Sequence, residues 1–301
     1  MEALSIPDEI LISRFLAPYA NQKTRMGYAR TLYAWLGFMT GARLHILQAE
    51  RLHIEQWAKM LAHEGASKAT VAGKLSPVCA FYRWATEEGL IDYDIAQFVR
   101  RPSRPRRSNL KWLTAEQLAN LLAASIVYGP PLSGFVHLTG LNGLRLTETL
   151  EARIEHLGEQ DGLTTLWLPN RKGGVMDTVS LPEATVKVLV GCIRNRERGL
   201  ILTGGHGQKL KPGDVYRMLD QVRDDGLGID FPIRPHMLRA TFVTLSLDAG
   251  IPARDIIASA GWATTSMLQY YDRAHAAIRR NASHRLTDYI STTNAPQSTT
   301  S

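Results

Sequence analysis

Apolar positions in the first hundred residues recur at helical spacing. Phe15, Leu16 and Tyr19 close a first helix, and Tyr28, Leu32, Trp35 and Leu36 mark a second from about Thr24 to Phe38. A third is predicted over Ile54–Leu61. In a fourth, Lys68–Ala85, the residues Val71, Leu75, Val78 and Tyr82 follow at steps of four, three and four, an apolar stripe along one helical face. Gly41, Gly65 and Gly89 punctuate the gaps. The pattern predicts a compact domain of four or five helices over residues 1–100.

Residues 101–111 break the pattern. Pro102 and Pro105 remove backbone donors, and the surrounding basic run repels itself, so this stretch reads as a linker. A solubilising hinge is the plain interpretation. Between two folded domains, a strip carrying Arg104, Arg106 and Arg107 is also suited to crossing a phosphate backbone. Beyond it, Thr114-Ala115-Glu116-Gln117 has the form of a capping box, and helices continue to about Ala152. Strand-like runs at Leu163–Leu168 and Val175–Leu181, the second preceded by Gly173-Gly174, predict a hairpin or small sheet. Helices resume at Pro182, with Gly199 placed to stop one and Pro212 to start the next. Residues 292–301 are rich in Ser, Thr, Asn and Gln and read as a disordered tail. The fold class expected is mainly α, with a small antiparallel β-sheet in a second domain spanning residues 112–291.

Composition refines this picture modestly. At 301 residues with 45% hydrophobic content, two globular domains are expected. No run reaches the apolar length of a membrane span, and the start (MEALSIPDEI) lacks a basic region followed by an apolar one; an intracellular, cytoplasmic protein without a membrane partner is expected. Cys79 and Cys192 lie far apart at no metal-binding spacing and read as small buried hydrophobes. A formal net charge of +7 points to a polyanionic partner, although many basic proteins bind no nucleic acid.

Four groups in the second half carry candidate chemistry. In Gly143-Leu144-Arg145-Leu146-Thr147-Glu148 the arginine follows a glycine break at a helix start, where Glu148 can hold its guanidinium. Alone, this is more often a surface ion pair. In Arg171-Lys172-Gly173-Gly174 a lysine sits at a predicted hairpin tip, usually plain turn chemistry, but able to bring an ammonium into a groove. In Arg234-Pro235-His236-Met237-Leu238-Arg239 the proline starts a helix, so His236 and Arg239 share a face near an N-terminus suited to phosphate. In Gly261-Trp262 and Met267-Leu268-Gln269-Tyr270-Tyr271-Asp272-Arg273 the adjacent tyrosines point roughly 100° apart on a helix and cannot share a role.

Together these residues suit phosphodiester exchange. A tyrosine nucleophile conserves the ester's energy as a phosphotyrosyl bond. Two arginines can clamp the non-bridging oxygens with bidentate hydrogen bonds. His236, a group that titrates near neutrality, can manage the tyrosine proton, and Lys172 can protonate the leaving 5′-hydroxyl. The scheme calls for no metal, cofactor or ATP.

The combination resembles the tyrosine recombinases (phage integrases, Xer-type and Cre-like enzymes) over nearly the whole chain. Gly143-Leu144-Arg145-x-x-Glu148 is similar to the family's first-arginine motif, and Lys172 falls where the family lysine sits. His236-Met237-Leu238-Arg239 matches its His-x-x-Arg, continued by Thr241-Phe242-Val243-Thr244. Trp262 stands where most members have His and some have Trp, and Tyr271 lies nine residues beyond it, the usual spacing of the nucleophile. The resemblance thus implies Arg145, Lys172, His236, Arg239, Trp262 and Tyr271 as the catalytic set, with Tyr271 preferred to Tyr270. It also implies a core-type DNA-binding domain, a catalytic domain with a three-stranded sheet, and a C-shaped clamp on duplex DNA. A homotetramer on two DNA sites would be joined by a docking helix over residues 274–290, through a Holliday junction.

Departures from the pattern have consequences. Trp262 has only an indole N–H to offer, which makes proton transfer by it unexpected, and Ala240 replaces a second His found in many members. The short stretch before the first helix leaves no room for an arm-type DNA-binding domain, so simple core sites are expected. An accessory DNA-bending or directionality protein is a further partner left open, and nucleoid association in a bacterial host would follow. Lys23, Arg25, Lys68 and Lys74 lie at helix starts or faces where phosphate contact fits, with solvated surface charge as the alternative. A topoisomerase of the type IB kind, or a DNA-binding regulator that has lost the chemistry, are the competing functions.

Overall fold

The computed structural model describes residues 6–102, 111–169, 171, 178–262 and 268. The chain divides into two compact units, residues 1–106 and 107–301. Residues 103–110, Lys172 and 274–301, and with them the linker arginines, the docking helix and the tail, lie outside the described residues.

The first unit contains α1 (Asp8–Leu16), α2 (Gln22–Gly41), α3 (Arg51–His63) and α4 (Lys68–Glu87), each close to its expected place. Asn21 and Ser67 cap α2 and α4 through side-chain oxygens that accept from the backbone N–H three residues on. Phe15, Trp35, Trp57, Phe81 and Tyr82 fill the core. Tyr82, expected in the apolar stripe, is also a polar hub: Trp35 Nε1 donates to its hydroxyl at 2.8 Å, and the hydroxyl donates to the Ile46 carbonyl at 2.8 Å.

The second unit opens with α5 (Ala115–Tyr128), whose capping box is formed by Thr114 and Gln117. Every residue of α6 (Leu132–Gly140) is buried, as befits a helix with almost no charge on any face. It packs against α5, α7 (Leu146–Glu151), α8 (Glu183–Ile193), α9 (Pro212–Asp224) and α10 (Pro235–Asp248). Helix α11 (Ala253–Ala260) leans on α10. Strands β1 (Leu157–Gln160), β2 (Leu163–Trp167) and β3 (Thr178–Ser180) form an antiparallel sheet in the order β1-β2-β3. The protein is thus mainly α with one small sheet. Among the described residues no helix is long and apolar enough to cross a membrane.

Two expectations fail locally. β1 is absent from the sequence reading because Leu-Gly-Glu-Gln is an exposed edge strand with no apolar alternation. Gly199 does not end α8. That helix stops at Ile193, and Arg194 turns the chain away with a positive φ of 55°. Arg196 makes a glycine cap unnecessary: its guanidinium donates to the carbonyls of Cys192 (2.8 Å), Ile193 (3.2 Å), Leu200 (2.5 Å) and Ile201 (2.8 Å).

Candidate active site

Arg145 is the N-cap of α7, and Glu148 in the first turn reaches back to it. One carboxylate oxygen accepts from the Arg145 backbone N–H at 2.8 Å, the other from Nη1 at 2.6 Å. The Glu148 side chain is 7% exposed and that of Arg145 30% exposed, so a buried carboxylate braces a guanidinium that still reaches solvent. This is the pairing expected from the sequence, but set into the protein rather than laid on its surface.

Gly143 turns the chain into this position with φ +66°, and a Cβ there would run into the ring of Phe242 on α10. Only glycine meets both demands. The turn presents the Gly143 carbonyl to Arg239 of the same helix, which donates to it through Nη1 and to the Ala260 carbonyl through Nη2 at 2.5 Å. Arg239 is 3% exposed, and its guanidinium lies 5.3 Å from the centre of the Trp262 ring. Trp262 is itself buried, in a small cluster with Ala240, Val243, Ile256, Ala260 and Leu268. Its ring is a platform for the arginine.

Arg145 and Arg239 meet at the end of α11. Arg145 Nη2 donates to the Gly261 carbonyl at 3.0 Å, next to the Ala260 carbonyl held by Arg239. Arg171, which sequence reasoning passed over as the neighbour of Lys172, donates through Nη2 to the carbonyl of Ser259 and is 6% exposed. Three successive carbonyls thus each receive a different arginine. They lie at the negative end of the α11 dipole, where cations are stabilised. No sequence signal marks this arrangement, because backbone acceptors have no letter.

His236 occupies the first turn of α10, next to the buried run Met237–Ala240. Its ring is solvent-accessible, yet the packing beneath desolvates it, and with the nearby Arg239 cation this lowers its pKa from the ordinary 6.5. Thr241 fastens α10 to the start of the unit: its hydroxyl accepts from the Leu113 N–H at 2.9 Å and donates to the Met237 carbonyl at 2.9 Å. Lys172, Tyr270 and Tyr271 lie outside the described residues.

In the first unit Lys23 and Arg25 are exposed in the opening turn of α2, and Lys68 is exposed at the start of α4. Lys74 is half-buried further along α4. Neither opening turn holds an acidic residue, although the positive end of the helix dipole favours one. Lys68 also lines a groove of about 560 Å³ with Arg51, Lys59 and Arg100, opposed by Glu55. Arg104, Arg106 and Arg107 lie outside the described residues.

Comparison with known proteins gives this geometry a context. The model of the phage integrase family matches residues 111–277, and that of the phage integrase N-terminal SAM-like domain matches residues 15–89. The chain is 24% identical over 270 residues to tyrosine recombinase XerC of Pseudomonas syringae pv. tomato, covering 87% of this chain and 89% of the relative. It is 25% identical over 254 residues to a tyrosine recombinase of Pseudothermotoga lettingae, covering 82% and 87%. In fold it is similar to the lambda integrase tetramer bound to a Holliday junction (TM-score 0.73, 18% identity, 93% of this chain and 82% of that one). It is likewise similar to the Tn1549 transposon integrase in complex with circular intermediate DNA (TM-score 0.70, 18% identity, 94% and 99%). Arg145, Arg171 and Arg239 fall within the longer of the two matched segments, and the chain belongs to the phage integrase family, the tyrosine recombinases.

Proposed function

We propose that this recombinase cuts and rejoins double-stranded DNA with Tyr271 as its nucleophile. The Tyr271 Oη attacks the scissile phosphorus while the bond from phosphorus to the 5′-oxygen breaks, leaving a 3′-phosphotyrosyl ester. His236 takes the phenolic proton, and Lys172 gives one to the departing 5′-oxygen. Arg145 and Arg239 hold the non-bridging oxygens as charge accumulates there. Attack by a 5′-hydroxyl from a partner strand reverses the step, so neither ATP nor a metal cofactor is called for. The observation that carries this reading is the seating of Arg145 and Arg239 on adjacent carbonyls, Gly261 and Ala260, which anchors two guanidiniums at one helix end.

The lambda integrase neighbour is a tetramer on a Holliday junction, and the proposal extends that assembly to this chain, as a homotetramer on two DNA sites. Lys23, Arg25, Lys68 and Lys74, together with Arg104, Arg106 and Arg107, would grip the phosphate backbone outside the active site. The enzyme would work at the nucleoid in the cytoplasm of a bacterial host, with or without an accessory DNA-bending or directionality protein.

The test is Tyr271→Phe on a nicked suicide substrate. The variant should bind DNA with wild-type affinity and lose the covalent adduct by roughly a thousandfold or more. Adducts that persist in it would move the nucleophile to Tyr270 or elsewhere. Relaxation of supercoils by a monomer, without synapsis of any site pair, would point instead to a topoisomerase.

A further inference from the structure

We infer that Arg171 is a positioning residue for the phosphate clamp, acting through the end of α11. This rests on the reading of Arg145 and Arg239 as the clamp. Arg171 is buried, and its Nη2 donates to the Ser259 carbonyl, next in line to the Ala260 and Gly261 carbonyls that hold Arg239 and Arg145. Gly261 caps α11 with φ 59° in the left-handed region, and a Cβ on it would overlap the Arg171 guanidinium. The arginine is therefore packed against the turn as well as bonded to it.

The logic is geometric. A helix end leaves carbonyls that no intrahelical N–H can reach, and each needs a donor from elsewhere. Here three guanidiniums serve three consecutive carbonyls. Two of those guanidiniums must also present N–H groups to a phosphate, whereas Arg171 is packed against the Gly261 turn itself. Removing Arg171 leaves the Ser259 carbonyl without this donor and loosens the turn, so the two anchors beside it drift and the clamp loses its aim. A misplacement of about 1 Å in such a constellation is enough to cost a hundredfold in rate.

The experiment compares Arg171→Ala and Arg171→Lys with wild type in single-turnover cleavage of a suicide substrate, alongside DNA affinity and melting temperature. Arg171→Ala should cleave about 10- to 100-fold more slowly at saturating DNA with little change in affinity, and Arg171→Lys should recover part of the loss. A second substrate replaces one non-bridging oxygen of the scissile phosphate with methyl, which removes charge the clamp must neutralise. On it the deficit of Arg171→Ala should shrink. A third replaces the bridging 5′-oxygen with sulfur, a leaving group that needs no proton, and there the deficit should persist. Wild-type cleavage by Arg171→Ala, rescue by the sulfur substrate alone, or equal loss of cleavage, affinity and melting temperature in both variants would each overturn the assignment. Arg145→Ala serves as the control: if its own deficit fails to shrink on the methyl substrate, the clamp reading itself has failed.

Discussion

His236 stands beside a cation, and both that neighbour and its desolvation disfavour the imidazolium. Its pKa is lowered from 6.5, so at pH 7 it is a neutral acceptor, the form that can take a proton from tyrosine. The acid limb of single-turnover cleavage should therefore have its midpoint below pH 6.5. In His236→Gln cleavage should fall roughly a hundredfold or more, and that limb should vanish; an unchanged limb in the variant would exclude His236 as its source. Stability follows the same sign. The unfolded chain takes up this proton at its ordinary value before the folded chain does, so the contribution is intact above pH 6.5 and is lost as pH falls through the lowered folded value. The motif made His236 legible in the sequence, but its environment was not: the lowering comes from packing and from Arg239, which only the fold brings together. Tyr82 teaches the same lesson, since periodicity placed it in the core without revealing that its hydroxyl links Trp35 to Ile46.

At the level of elements, arginine caps recur at helix C-termini. Arg196 closes α8 through the Cys192 and Ile193 carbonyls and ties it to those of Leu200 and Ile201, and Arg171, Arg239 and Arg145 close α11. Arg196→Ala should destabilise the second unit by about 1–3 kcal/mol, because several carbonyls lose a charged donor at once. Urea unfolding would measure this, and a midpoint equal to wild type would show that water replaces the guanidinium at no cost. The helices themselves were legible because an apolar stripe at helical spacing is both the signal in the sequence and the force that packs it. β1 was not, since an exposed edge strand owes its place to its partner β2 rather than to its own side chains. The end of α8 was misplaced for a related reason: the rule that helices stop at glycine presumes that the freed carbonyls need a tight backbone turn. Of the candidate site, the two arginines and the histidine could be read from motifs, while Arg171 could not, because its partner is a carbonyl.

For the whole molecule, the main consequence is that each unit has its own core. The cluster around Trp35, Trp57 and Tyr82 shares no residue with the clusters around Phe135 and Leu238 or around Trp262. A fragment of residues 1–102 should accordingly unfold cooperatively on its own, with near-wild-type helicity by circular dichroism. A broad, non-cooperative melt would mean that the first unit borrows stability from the second. If the cores are independent, they also separate what selection can act on. Substitutions that retune one unit are not charged against the folding of the other, so a lineage can drift in the half carrying Lys23, Arg25 and Lys68 while Arg145 and Arg239 stay seated on their carbonyls. New targets can then be explored without a chemically dead ancestor in between.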